Sequence, residues 1–252
     1  MSEQMQSKRV ALVTGGMGGL GTAICRRLYR AGFSVAATYS PHHQSPEAWL
    51  AAERDEGFRF STYKVDVTDF ADTDAMMQKL LRDHGRLDVV VNNAGITRDR
   101  TLSKMAASEW SDVIRTNLDS IFNVSKHAIE PMTAQQWGRI INISSVNGQK
   151  GAIGQANYAA AKAGMHGFTK ALALELARHG VTVNTVSPGY LRTKMVSAVP
   201  EEVMQKKILP QIPLGRLGEP DEVAALIAYL ASDDAAFVTG ANIAINGGQH
   251  MS

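Results

Sequence analysis

The sequence predicts a doubly wound α/β domain, a sheet of about seven mostly parallel strands with helices on both faces. Three observations carry this reading. Short apolar runs alternate with amphipathic segments along the whole chain. Most runs are separated by helix-length stretches, the connection that parallel strands require. The first run opens into a glycine-rich turn and then a helix. A length of 252 residues suffices for one such domain, and no linker, repeat or low-complexity stretch divides it. The reading is therefore a single unit over 1–252.

In order, Val10–Val13 reads as the first strand and Gly19–Ala31 as a helix with Ile24 and Leu28 at helical spacing. Strands are then expected at Ser34–Thr38, Phe60–Val65, Leu87–Val91, Arg139–Ile143, Val181–Val186 and Ile243–Ile245. Helices are expected at about Pro46–Glu56, Asp72–His84, Ser108–Ala134, Gln155–His179 and Pro220–Ala231. Asp72 and Ser108 are N-cap candidates, and Gly85 and Gly180 sit where C-terminal caps belong. The stretch at about 190–214 breaks the rhythm with Pro200, Pro210 and Pro213 around a short helical piece, Glu201–Ile208, with Met195 and Met204. It follows the carboxyl end of a strand, where open α/β sheets bind ligands, so it reads as a substrate lid. An irregular surface excursion is the plainer alternative.

Composition narrows the class. Lys and Arg number 26 against 24 Asp and Glu, so no bulk charge points to nucleic acid or an anionic membrane. The single Cys25 cannot form an internal disulfide, which fits a reducing, cytoplasmic location. Met1 to Arg9 is polar, without the apolar stretch of a secretory leader, and no window approaches the ~20 apolar residues of a membrane span. Seven scattered histidines with no HExxH pattern give no expectation of a metal.

The turn Thr14–Gly21 reads TGxxxGxG through Gly15, Gly19 and Gly21, or GxGxxG through Gly16, Gly18 and Gly21. Glycines there let the backbone approach a pyrophosphate, whose charge meets unpaired N–H groups at the helix N-terminus. A flexible turn would not need five glycines in eight residues. At the end of the second strand, an acidic residue would bind the adenosine ribose diol and repel a 2′-phosphate. Tyr39 holds that position, and no carboxylate follows until Glu47. NADP(H) is therefore favoured over NAD(H), with Ser40, His42 and His43 as the available polar groups and Met17 where a basic residue could have stood.

Ser145 follows a strand, Tyr158 lies thirteen residues on, and Lys162 four beyond that. An i,i+4 pair shares a helix face, so the ammonium lies near the phenol and favours phenolate. Tyr158 is then a general acid for carbonyl reduction, and Ser145 a donor to the oxygen that gains charge as hydride arrives. A serine hydrolase fits poorly, because the run Asn142–Val146 is not GxSxG.

Together these residues resemble the short-chain dehydrogenase/reductase family from Arg9 to Gly248. Thr14–Gly21, including Met17 and Leu20, looks like its cofactor turn. Asn92–Gly95, with Asn93 and Ala94, looks like its adenine-pocket motif, and Tyr158 with Lys162 like its active-site pair. The resemblance implies that Asn117 is the fourth catalytic residue, placing a water that relays protons to the lysine. It also implies that Asp66 and Val67 contact adenine, that Pro188 and Gly189 lie beside the nicotinamide, and that Lys162 binds its ribose. Within the family the likeness is closer to acetoacetyl-CoA reductases, then to 3-oxoacyl carrier-protein reductases. The run Val146–Gly151 after Ser145 discriminates best and favours an acyl-CoA thioester, its product destined for polyhydroxybutyrate.

In that setting Asp99, Ser145, Gln155, Tyr158 and Tyr190 would line the substrate. Ala152 and Ile153 depart from the branch's more polar and aromatic pair. Arg98, Arg100, Lys104, Lys150, Arg192, Lys194, Lys206 and Lys207 are candidates to steer an anionic thioester, although each alone reads as surface charge. Small residues Ala159, Ala160, Ala163, Gly164 and Gly167 allow close helix approach, either within one subunit or in the homotetramer that the resemblance implies. A non-enzymatic dinucleotide-sensing scaffold would be expected to have lost Tyr158 or Lys162, and both are present.

Overall fold

A computed structural model describes residues 8–193 and 201–251. Lys194, Met195 and Pro200, singled out above, lie outside the described residues. The elements are β1 Val10–Val13, α1 Gly19–Arg30, β2 Ser34–Tyr39, α2 Pro46–Asp55, β3 Phe60–Lys64, α3 Phe70–His84 and β4 Val89–Asn92. They continue with α4 Ala107–Ile114, α5 Ser120–Ala134, β5 Gly138–Ile143, α6 Val146–Lys150, α7 Ala156–Leu176, β6 Val181–Pro188, α8 Pro220–Leu230 and β7 Asn242–Ile245.

The seven strands form one sheet in the order β3-β2-β1-β4-β5-β6-β7. All the pairings are parallel. Alternation along β1 sorts its side chains: Ala11 and Val13 enter one core with Ile24, Leu28, Val223 and Ile227, while Val10 and Leu12 enter the other with Met77, Leu80, Val124 and Leu172. Burial on both faces explains why the central strands read as unbroken apolar runs. Strand order reverses between β1 and β4, so the carboxyl ends of these strands open the crevice in which such sheets place ligands. Among the described residues, no helix is long and apolar enough to cross a membrane.

Several boundaries differ from expectation for identifiable reasons. The N-cap of α3 is Asp69 rather than Asp72: Asp69 accepts the Asp72 N–H at 2.8 Å, and the Asp72 carboxylate instead takes the Asp66 N–H at 2.7 Å. The cap of α4 is Ala106 rather than Ser108, with Glu109 accepting the Ala106 N–H at 2.8 Å. The segment expected as one helix over Ser108–Ala134 is interrupted by a widened π turn, Arg115–Asp119, that carries Asn117. Gly85 and Gly180 close their helices at positive φ, 74° and 70°, as expected of C-terminal caps. The described part of the proline-rich stretch builds a small apolar cluster of Met204, Ile208, Ile212 and Leu217 against Tyr190.

Candidate active site

The turn after β1 is braced from both sides. Thr14 Oγ1 accepts the N–H groups of Asn93 at 2.9 Å and Ala94 at 3.0 Å, while Asn93 Nδ2 donates to the Thr14 carbonyl at 2.9 Å. On the β2 side, Thr38 Oγ1 accepts the Gly15 N–H at 3.2 Å. Gly15 has φ of 61°, and a Cβ on Gly21 would collide with the Gly15 carbonyl oxygen. A Cβ on Gly16 would lie 2.7 Å from that of Ala37. Gly18 and Gly19 are exposed, no side chain caps α1, and its first turn holds no acidic residue. Uncapped N–H groups in a glycine cradle fit a nucleotide pyrophosphate. Met17 and Leu20 flank the cradle, partly exposed.

On the adenosine side, Tyr39 ends β2 and Ser40 is exposed beyond it. Val67 is buried, and its carbonyl accepts from Asn123 Nδ2 at 3.0 Å. Asp66 is exposed, its Oδ1 accepting from the Thr68 backbone and hydroxyl. Pro188 pairs with Ile245, and the Gly189 N–H donates to the Ile245 carbonyl at 3.0 Å.

Three segments converge on Lys162. A Cβ on Gly95 would stand 3.2 Å from Asn117 Oδ1 and 3.6 Å from Lys162 Nζ. The Asn117 amide is tied to Ile96 at both ends, accepting its N–H at 2.8 Å and donating to its carbonyl at 2.9 Å. This double tie accompanies the π turn. Lys162 Nζ donates to the Ile143 carbonyl at 2.7 Å and lies 5.6 Å from the Tyr158 ring centroid. Ser145 caps α6, its Oγ accepting the Asn147 N–H at 3.1 Å, and its hydroxyl stands near that of Tyr158.

The electrostatics differ from the expectation that the ammonium pulls Tyr158 down. Burial pushes the Tyr158 hydroxyl up, opposed by the nearby Ser145 hydroxyl and reinforced by the Asp99 charge. Burial brings Lys162 down to about 7. Lys162 is buried and Tyr158 partly so, and Lys162 donates to a neutral carbonyl rather than to a carboxylate, so desolvation dominates each.

The candidate substrate residues form a chain: Asn147 Nδ2 donates to Gln155 Oε1 and Gln155 Nε2 donates to Asp99 Oδ2, each at 2.8 Å. Tyr190 stands apart from that chain, packed against the Met204 cluster. Ala152 and Ile153 are exposed. Of the basic candidates, Arg100 pairs with Glu109, Arg192 with Glu219 and Lys206 with Glu202. Lys150 reaches Gln211 at 3.2 Å, and Arg98, Lys104 and Lys207 are exposed. Gly164 closes against Leu118 of the same chain, while Gly167 meets nothing within 4 Å.

Sequence reasoning missed three supports: Thr14, Asn147 and Asn157. Asn157 Nδ2 donates to the carbonyls of Arg98 and Glu109, and its Oδ1 accepts the Tyr158 N–H, fixing the start of α7 beside Tyr158. A buried asparagine next to the tyrosine was the available signal.

Residues 15–250 match the family model described as enoyl-(acyl carrier protein) reductase. The chain is 51% identical to acetoacetyl-CoA reductase of Cupriavidus necator, covering 97% of this chain and 99% of that protein. The chain belongs to the short-chain dehydrogenase/reductase family. This family of oxidoreductases uses a nicotinamide cofactor, and the braced turn lies at the carboxyl end of β1, where the strand order reverses. The chain is also 52% identical to nodulation protein G of Azospirillum brasilense, covering 96% of the chain and 98% of that protein. With 3-oxoacyl-(acyl-carrier-protein) reductase FabG of Pseudomonas aeruginosa it shares 45% identity, covering 97% and 98%.

Proposed function

We propose that this protein reduces acetoacetyl-CoA to (R)-3-hydroxybutyryl-CoA with NADPH, a product suited to polyhydroxybutyrate synthesis. The observation that carries the reading is the set Ser145, Tyr158, Lys162 and Asn117, the last two buried and the first two partly exposed, gathered beside the phosphate cradle. Relatives named acetoacetyl-CoA reductase at about half identity support the substrate. A bound nicotinamide supplies hydride. Gly15, Gly16, Met17, Gly19, Leu20 and Gly21 would hold its pyrophosphate, Asp66, Val67 and Asn93–Gly95 the adenosine side, and Pro188 and Gly189 the nicotinamide side. Ser145 holds the 3-oxo oxygen, and Tyr158 donates the proton as negative charge grows there. Lys162 binds the ribose, and Asn117 orders the proton path behind it. Asp99, Gln155 and Tyr190 contact the acyl thioester. The lid expected at about 190–214 would cover it, and in the described part Lys150 Nζ donates to Gln211 Oε1, tying that part to α6.

Turnover of acetoacetyl-CoA and a 3-oxoacyl carrier-protein thioester, side by side, tests the substrate. We expect the CoA thioester to be used with the higher kcat/KM. Turnover of the carrier-protein thioester alone would transfer the protein to the second reading, which the 45% identity to a carrier-protein reductase supports.

The preference for NADPH rests on the end of β2. Tyr39 replaces the carboxylate that would repel a 2′-phosphate, and its register partner on β3 is Lys64, exposed and without an ion pair among the described residues. Strands ~4.8 Å apart place both side chains on the α1 side of the sheet, within reach of a common phosphate. Lys64→Glu is expected to raise the Kd for 2′,5′-ADP about tenfold or more and leave 5′-AMP within about twofold. Tyr39→Asp should shift the same ratio in the same direction. Calorimetric titration reads both, and an unchanged ratio would place 2′-phosphate recognition elsewhere. The exposed Phe70–Phe122 stack, with Trp110, supports self-association into a tetramer.

A further inference from the structure

The run after Ser145 is left unexplained by the roles above. It folds as the single turn α6, and its Asn147 is only 7% exposed. Its backbone N–H is given to Ser145 Oγ, its side-chain N–H to Gln155 Oε1, and Gln155 passes its own N–H to Asp99. Asn147 Oδ1 is buried without a hydrogen-bond partner.

We propose that Asn147 is a positioning residue that fixes the orientation of the Gln155 amide and, through it, the acyl-binding wall between Ser145 and Asp99. The proposal rests on the reading that Gln155 and Asp99 face the acyl thioester. A glutamine amide has two ends and rotates by half a turn unless its surroundings distinguish them. The Asp99 carboxylate oxygen takes the NH2 end. Asn147 gives its NH2 to the oxygen end. Both ends of the Gln155 amide are then held, and one orientation is kept before substrate arrives. Removing the Asn147 side chain leaves Gln155 held at one end, so binding must order it. The Asn147 backbone N–H to Ser145 survives that change, so the chemical step keeps its hydroxyl donor. The loss should therefore fall on KM rather than kcat.

The test is a double-mutant cycle on acetoacetyl-CoA with Asn147→Ala, Gln155→Ala and the pair. Asn147→Ala is expected to raise KM about tenfold with kcat within about twofold, and to leave the nucleotide Kd, read by fluorescence titration, unchanged. In the Gln155→Ala background the same change should add less than about twofold, because Gln155 is the group through which Asn147 acts. Losses that multiply, or an equal loss of nucleotide affinity, would overturn the proposal. Asn147→Asp keeps the size and the backbone N–H but removes the donor to Gln155. It covers the case in which the alanine variant fails to fold: the same rise in KM is expected, and a wild-type KM overturns the assignment. If the unaltered protein does not reduce acetoacetyl-CoA, the substrate reading fails instead, and the cycle is run on the carrier-protein thioester that it does reduce.

Discussion

Tyr158→Phe is expected to lower kcat about a thousandfold, in the middle of the range that a positioned general acid contributes, while the nucleotide Kd stays within about threefold. The ring remains packed on α7 and only the hydroxyl that meets Ser145 is lost. Burial holds that hydroxyl's pKa above its ordinary value, so it keeps its proton through neutral pH and, in the proposed reaction, has it to donate in the reducing direction. The sign for the reverse reaction is opposite: oxidation of the hydroxy product needs phenolate, so its rate should climb with pH while reduction does not. Stopped-flow reduction and nucleotide titration of the same variant separate chemistry from binding. A kcat within tenfold of the unaltered protein would remove Tyr158 from the proton-transfer role, and a proportionate loss of nucleotide affinity would make it a binding residue.

What the amino-acid order disclosed was local. Most strands announced themselves through a short apolar run, and the sheet's two-sided burial followed from the helix-length spacing between runs. The glycine turn and the four-residue Tyr158–Lys162 spacing were legible because both act within one element. The failures have a common cause in competition between near-equivalent partners. Asp66, Asp69 and Asp72 recur every three residues, each able to cap a helix, and only the packed chain assigns Asp69 to α3 and Asp72 to the Asp66 N–H. The π turn at Asn117 exists with a double bond set to Ile96, twenty-one residues away, which no helical periodicity records. Thr14 with Asn93, and Asn147 with Gln155, are likewise contacts between separate elements. Burial governs the charges in the same way: spacing places an ammonium beside a phenol, but the dryness of the pocket decides how far each group shifts.

That dryness makes Lys162 the second site of large effect. Lys162→Met is expected to reduce kcat/KM about a thousandfold or more and to weaken nucleotide binding as well, since the proposed reading gives this one side chain both the ribose and the proton path to Tyr158. The lysine also provides a readout that a structural role would not move. Its pKa in the free protein lies at about 7, so at about pH 8 most molecules carry the neutral amine. A nucleotide brings negative phosphates and ribose hydroxyls that favour the ammonium, so binding should raise the lysine pKa and take up a proton. Uptake should approach one proton per site near pH 8 and vanish near pH 6, where the free protein is already protonated. The same depressed pKa means the unfolded chain binds more protons than the folded one between about 7 and the ordinary lysine value. Stability of the nucleotide-free protein should therefore rise with pH across that window. Calorimetry in buffers of different ionisation enthalpy counts the protons, and Lys162→Met should abolish the pH-8 uptake. Equal uptake by that variant would assign the proton to another group, and an effect on turnover without one on nucleotide affinity would end the dual role.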